Sequence, residues 1–332
     1  MGSGVHGTNG LDPVTSYKIY NTYVLPRLLY GLEAIPLNKT NITQLESFHR
    51  KNLRHLQSLP QRTAIAAIYL LIGGLPIEDE LHKKQLSFLH NFLSSNVQRV
   101  KAIIIRQMSV NYDNPNSFFS TIREILLKYG LPPIHLLQES LLSKMKWKSL
   151  VTKQLNTYWL NTLKDDAESK STLRYMETKH LLIDKNHPVW NIFDKTTAEV
   201  RKAIIKTRIV SGTFRLNSDR AKFNQSPSPI CQLCNLFEEN ISHFLLDCPL
   251  LSKTRITYFE SIKDYVTQHT TEEVWHSVFQ YKLNIIRLII DCSHFSQILT
   301  NKNIMNTIEA KTREVCYKLY IKRLKLLEAM DG

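Results

Sequence analysis

The chain has 332 residues, 43% hydrophobic and 22% charged, with 10 Gly and 12 Pro. That length accommodates roughly two domains with sizeable cores, and the composition excludes collagen-like, low-complexity and extensively disordered chains. Lys plus Arg number 43 against 29 Asp plus Glu, a net charge of +14, which attracts polyanions such as nucleic acid and says nothing about fold.

The segment Met1 to Gly7 has no basic and apolar signal-peptide pattern, and His6 stands where an N-myristoylation site wants Ser or Thr. The longest nearly apolar run, residues 64–77, contains Gly73, Gly74 and Pro76 and falls short of the ~18 residues of a membrane span. The expectation is an intracellular protein, cytoplasmic or nuclear, with no membrane partner. In that compartment the five Cys read as metal ligands or core thiols rather than disulfides.

Asp12-Pro13 predicts a helix start, followed by Tyr17, Tyr20, Val24 and Leu28 at helical spacing, with a kink at Pro26. A second helix from about Thr40 turns Ile42, Leu45, Phe48, Leu53 and Leu56 inward. A third, Arg62 to Ile72, is apolar enough to be buried, and Gly73-Gly74-Leu75-Pro76 ends it. The next opens on Glu78, Asp79 and Glu80, carboxylates favoured at a helix N-terminus. Breaks follow at Asn111 to Asn116 and Gly130 to Pro133 with one amphipathic helix between them, then a long helix from Glu139 to Leu163. Thr196 or Thr197 caps a basic helix that runs to Gly212, and Asn301 to Ala329 reads as one long helix. The fold class is therefore mainly α, with a helical bundle at 1–110, a helical connector at 111–195, a small basic metal-binding module at 196–260 and C-terminal helices at 261–332.

The chemistry concentrates in Cys231, Cys234, His243 and Cys248, spaced Cys-x2-Cys-x8-His-x4-Cys. A Cys-x2-Cys turn is the tightest common way to aim two thiolates at one ion, and four protein ligands leave no open position, so the cofactor reads as structural zinc. Ser242 is the expected cap of a short helix beginning at His243. That helix must end at Cys248, ahead of Pro249, for the last thiol to turn back.

Nine Lys or Arg against four acids lie between Arg201 and Arg255. Arg215, Arg220, Lys222 and Arg255 are the candidate phosphate contacts there, with Thr213, Asn217, Ser218 and Asn224 as neutral donors and Phe214 and Phe223 as stacking rings. Arg50, Lys51, Arg54 and Arg62 form a second basic patch, and Lys311, Lys318, Lys322 and Lys325 read as packing-edge residues. No Gly-rich phosphate loop, Gly-x-Ser-x-Gly, His-Glu-x-x-His or aromatic-x-Asp-Asp motif occurs, and no carboxylate cluster suits two-metal chemistry. Neither catalysis nor a small-molecule substrate is expected.

His6 to Pro13, Tyr23-Val24-Leu25-Pro26-Arg27-Leu28-Leu29-Tyr30-Gly31-Leu32-Glu33, Leu75 to Lys83, His187-Pro188-Val189-Trp190, Ser211-Gly212-Thr213, Asn217 to Asn224 and His243 to Pro249 together resemble the region after the polymerase palm of non-LTR (LINE-type) retrotransposon reverse transcriptases. The resemblance covers about residues 1–260. It implies a thumb-like first bundle and a zinc knuckle whose ligands fall on Cys231, Cys234, His243 and Cys248. The family's catalytic aspartates fall on nothing in this chain, which looks like a C-terminal piece of such a protein. The expected function is non-catalytic binding of RNA or DNA. The alternatives are a zinc-organised protein-interaction module and a retroelement relic with no present role.

Overall fold

The computed structural model describes residues 10–226 and 228–331. His6 to Asn9 of the family-like stretch lie outside them. The described residues are mainly helical and contain no β-strand.

Asp12 caps α1 (Pro13–Ile19), its carboxylate accepting from the Thr15 N–H at 3.1 Å. Pro26 has no N–H to give the helical ladder, and the break appears just before it as a π turn over Tyr20–Val24 leading into α2 (Leu25–Leu28). The Asn38 side chain caps α3 (Lys39–Leu56). Phe48, expected inside, is exposed, and His49 is buried in its place. The imidazole is satisfied on both nitrogens, by the Tyr20 hydroxyl at 2.8 Å and the Leu75 carbonyl at 3.1 Å, so it enters the core as a neutral ring. Every residue of α4 (Ile65–Ile72) from Ala66 onward is buried, and Gly73 ends it at φ +70°. The acidic first turn expected near Glu78 opens α5 (Ile77–Leu93).

Next come α6 (Gln98–Val110), α7 (Phe118–Lys128), α8 (Ile134–Glu139) and α9 (Lys144–Glu168). The long helix expected from Glu139 begins five residues later because Ser140 leaves helical geometry, at φ −140° and ψ 81°. Leu86 and Leu89 of α5, Ile122, Ile125 and Leu126 of α7, Leu137 of α8, and Trp147, Val151 and Leu155 of α9 pack into one apolar cluster. The Trp147 indole N–H donates to the Leu86 carbonyl at 3.0 Å, satisfying the polar edge of the ring inside that cluster.

The larger core is built from α10 (Thr197–Val210), α12 (Ser252–His269), α13 (Glu272–Val278), α14 (Lys282–Ile290) and α15 (Lys302–Asp331), packed with α1, α4 and the end of α9, and α11 (Asn217–Lys222) follows the core residue Leu216. It draws residues from all four sequence segments: Leu29 and Ile68, Leu163 and Val189, Val200 and Phe244, Ile289 and Leu319. Thr196 caps α10 as expected. Cys292 and Cys316 are buried free thiols within this core. No helix among the described residues is long and apolar enough to cross a membrane.

Candidate metal centre and basic groove

Cys231 and Cys234 sit on a tight reversal of the chain. Its stem is a single antiparallel bridge between Ile230 and Glu238, the Cys231 N–H donates to the Phe237 carbonyl at 2.8 Å, and Asn235 turns the corner at φ +53°. Asn tolerates that left-handed geometry better than other side chains. His243 and Cys248 come from the next element, a π turn over His243–Asp247 closed by the Cys248 N–H donating to the His243 carbonyl at 2.8 Å. An i→i+5 turn is wider than an α turn. It carries Cys248 back under His243, and this is the physical basis of the four-residue gap between them. Cys248 itself is extended, φ −58° and ψ 118°, ahead of Pro249. The expected cap Ser242 is already helical and makes no capping bond. Asn240 caps instead, its side chain accepting from the His243 N–H at 3.0 Å.

The four ligand atoms lie within 4.8 Å of one another. Cys231 Sγ is 4.0 Å from Cys248 Sγ, and Cys234 Sγ is 3.4 Å from His243 Nε2. Tetrahedral coordination with metal–sulfur bonds near 2.3 Å requires edges of about 3.8 Å, so the cluster fits one metal ion. Cys231, His243 and Cys248 are buried and Cys234 is half-buried. Burial pushes the Cys231 thiol up to about 12 and raises Cys248 as well. For Cys234 burial acts in the same direction but is outweighed by N–H donors from Leu236 and Phe237, and its thiol is lowered. Those backbone donors favour thiolate, the form that binds a metal.

Two charged contacts fix the centre in the fold. Arg255, expected as a phosphate contact, is half-buried and lies outside the groove lining; it donates to the Leu245 carbonyl at 2.7 Å and the Cys248 carbonyl at 2.9 Å, which braces the π turn. Glu239 receives Arg323 of α15 at 2.7 and 2.8 Å, accepts from the Asn217 N–H at 2.9 Å, and lies 4.0 Å from Cys231 Sγ. Sequence reading missed Glu239 and Arg323 because 84 residues separate them.

Beside the centre runs a groove of about 780 Å³. Its lining includes Arg62, Lys170, Arg174, Arg215 and Lys222, all exposed, with Asp219 as the one acid among them. Lys170 and Arg174 come from the turn after α9 and were not singled out in the sequence. That turn is held against α10 by Gly212, at φ +63°, where a Cβ would meet the Thr172 carbonyl oxygen at 2.2 Å. Arg220 is exposed on α11 but does not line the groove.

Of the second basic patch, only Arg62 reaches the groove. Lys51 is exposed on α3, Arg50 donates to its own helix at the Glu46 carbonyl, and Arg54 is half-buried. Several other residues expected to meet a ligand are structural. Phe214 packs on Phe244 and Tyr320 at ring distances of 5.2 and 5.9 Å, and Thr213 and Ser218 are buried, although all three still line the groove; Asn217 is buried and does not. Lys206 and Arg208 of the basic helix are likewise consumed, by Glu309 at 2.7 Å and by the Ser58 carbonyl at 3.0 Å. Set against known proteins, the chain matches no family model, no curated protein and no solved structure.

Proposed function

We propose that the chain is a non-catalytic nucleic-acid-binding segment, stabilised by structural zinc at Cys231, Cys234, His243 and Cys248 and related to the C-terminal region of LINE-type reverse transcriptases. The observation that carries the binding reading is the groove, lined by five exposed cations and one acid, with Lys170 also paired to Asp166 at 3.1 Å. Phosphate oxygens are matched by such donors without regard to sequence. Zinc is favoured by the donor set, since three thiolates and one imidazole in a closed tetrahedron suit that ion and leave no position for hydrolytic chemistry. The family relation is supported by the family-like segments, from Tyr23 to Glu33 through His243 to Pro249.

The test is binding of unrelated RNA and DNA sequences across a salt series. Wild type should bind with a steep log–log salt dependence. Replacing Arg62, Lys170, Arg215 and Lys222 by Ala should weaken all sequences alike and flatten the slope by about 0.7 to 0.9 for each phosphate no longer neutralised. Lys318, Lys322 and Lys325 of α15 serve as the control triple. A larger loss in the control would move the binding surface elsewhere, and no binding at low salt would favour the protein-interaction reading. Primer extension with magnesium or manganese should give no nucleotide incorporation, and product above the no-protein background would overturn the non-catalytic assignment.

A further inference from the structure

Phe223 is the aromatic side chain of the groove left exposed, at 63% of its full accessible surface. A solvated ring on a mobile loop would need no explanation. This one is held. It terminates α11 in a Schellman-type turn, in which the Gln225 N–H donates to the Arg220 carbonyl at 2.8 Å, the Asn224 N–H donates to the Ala221 carbonyl at 3.0 Å, and Asn224 takes φ +53°. Gln225 is anchored in turn by Arg215, whose guanidinium donates to Oε1 at 2.5 Å. The Arg62 guanidinium lies 5.9 Å from the ring centroid, backing the ring with a cation from 161 residues earlier in the chain. An exposed apolar ring is thus fixed by two turn bonds and backed by Arg62, with Arg215 bonded to Gln225 two residues on, inside a groove otherwise suited to phosphates.

We infer that the groove takes single-stranded polynucleotide, with an unpaired base stacked on Phe223 while Arg62, Arg215 and Lys222 hold the flanking phosphates. This rests on the nucleic-acid reading above and adds the strand state and the stacking residue. A base within a duplex has both faces covered by its neighbours, so it has none to offer the ring. An unpaired base does, whatever its identity. Phosphate contacts alone would not distinguish a single strand with bases from one without them.

The experiment measures affinities of the full chain for three probes of equal length: a mixed-sequence single strand, the same backbone with abasic residues, and the matched duplex. Salt slopes are recorded for each. Wild type should bind the base-bearing strand about 5- to 150-fold more tightly than the abasic one. Phe223→Leu, which keeps an apolar side chain but no π face, should abolish that preference without changing the salt slope, and Phe223→Trp should retain it. Equal wild-type affinity for base-bearing and abasic strands, with the steep slope intact, would overturn the stacking inference and leave the polyanion reading standing. The same holds if Phe223→Leu binds all three probes as wild type does. Failure to bind any probe at low salt would overturn both.

Discussion

Lys206 and Glu309 are both fully buried and 2.7 Å apart, with the Thr312 hydroxyl 2.6 Å from the ammonium and the Cys292 thiol 3.5 Å from the carboxylate. Removing one partner of such a pair strands a charge in the core, whereas replacing both by apolar groups of similar volume does not. Lys206→Met alone should therefore destabilise by about 3 to 5 kcal/mol, and Lys206→Met with Glu309→Leu should recover most of that loss. Equilibrium denaturation of the two variants decides it, and additive losses would show the pair is not the source. His49 supplies a second residue-scale prediction. Burial lowers its pKa to about 4, below the ~6.5 of an exposed imidazole. Between those values the unfolded chain binds a proton that the folded chain refuses, so stability is present above about pH 6.5 and lost as pH falls toward 4. At pH 4.5 the loss should be about 2 to 3 kcal/mol. Protonation of the metal thiols acts equally on a His49→Gln variant, so the gap between wild type and variant should narrow on acidification. A constant gap would contradict the neutral buried imidazole. Neither role was legible in the sequence. Lys206 sits in a basic helix that reads as solvated, and Phe48, not His49, is the side chain hydrophobicity alone would bury.

At the scale of elements, local chemistry was the legible part. Asp12-Pro13, Thr196 and Gly73 act within four residues of their partners, and the helix boundaries they set are those observed. The Cys-x2-Cys turn and the His243 to Cys248 gap are equally short-range, which is why the four side chains of the candidate metal cluster could be read directly. Contacts over long sequence separation were not legible, and they join the metal loop to α15. Glu239 ties Arg323 to the Asn217 amide and to the neighbourhood of Cys231, while Leu233, Phe244 and Leu251 share the core with Leu319. Chelation should therefore raise hydrogen exchange in residues 228–251 and in the part of α15 around Arg323 together, and leave residues 118–155 of the second cluster protected. Exchange confined to the loop would show that the centre is energetically separate from the helix. Gly212 is the backbone counterpart. Gly212→Ala requires φ +63° of a residue with a Cβ and drives that atom into the Thr172 carbonyl, so the groove turn must move. Weakened polynucleotide binding with the metal still bound is the expected result, and unchanged affinity would show that the turn does not shape the groove.

For the whole molecule, the charge excess suits the proposed polyanion partner but names no surface for it. The groove assembles from Arg62 after α3, Lys170 and Arg174 after α9, and Arg215 and Lys222 around α11, positions that only the folded chain brings together. Folding also buries Lys206 and engages the half-buried Arg255 and Arg208 with backbone carbonyls, so a count of basic residues along the sequence does not give the charge that the folded surface presents. The metal centre is integral to the larger core rather than a detached knuckle, since Cys231 and Cys248 pack among its buried side chains. On the proposed reading, a metal held there would stabilise both this core and the groove beside it. The direct measurement is elemental analysis of the full chain, purified without chelators or metal-affinity steps, beside a Cys234→Ser variant. One zinc per chain is expected for wild type, with that content absent or sharply reduced in the variant. A folded wild-type protein carrying well under one equivalent of zinc, or a variant with full content, would contradict a zinc centre held by these four residues.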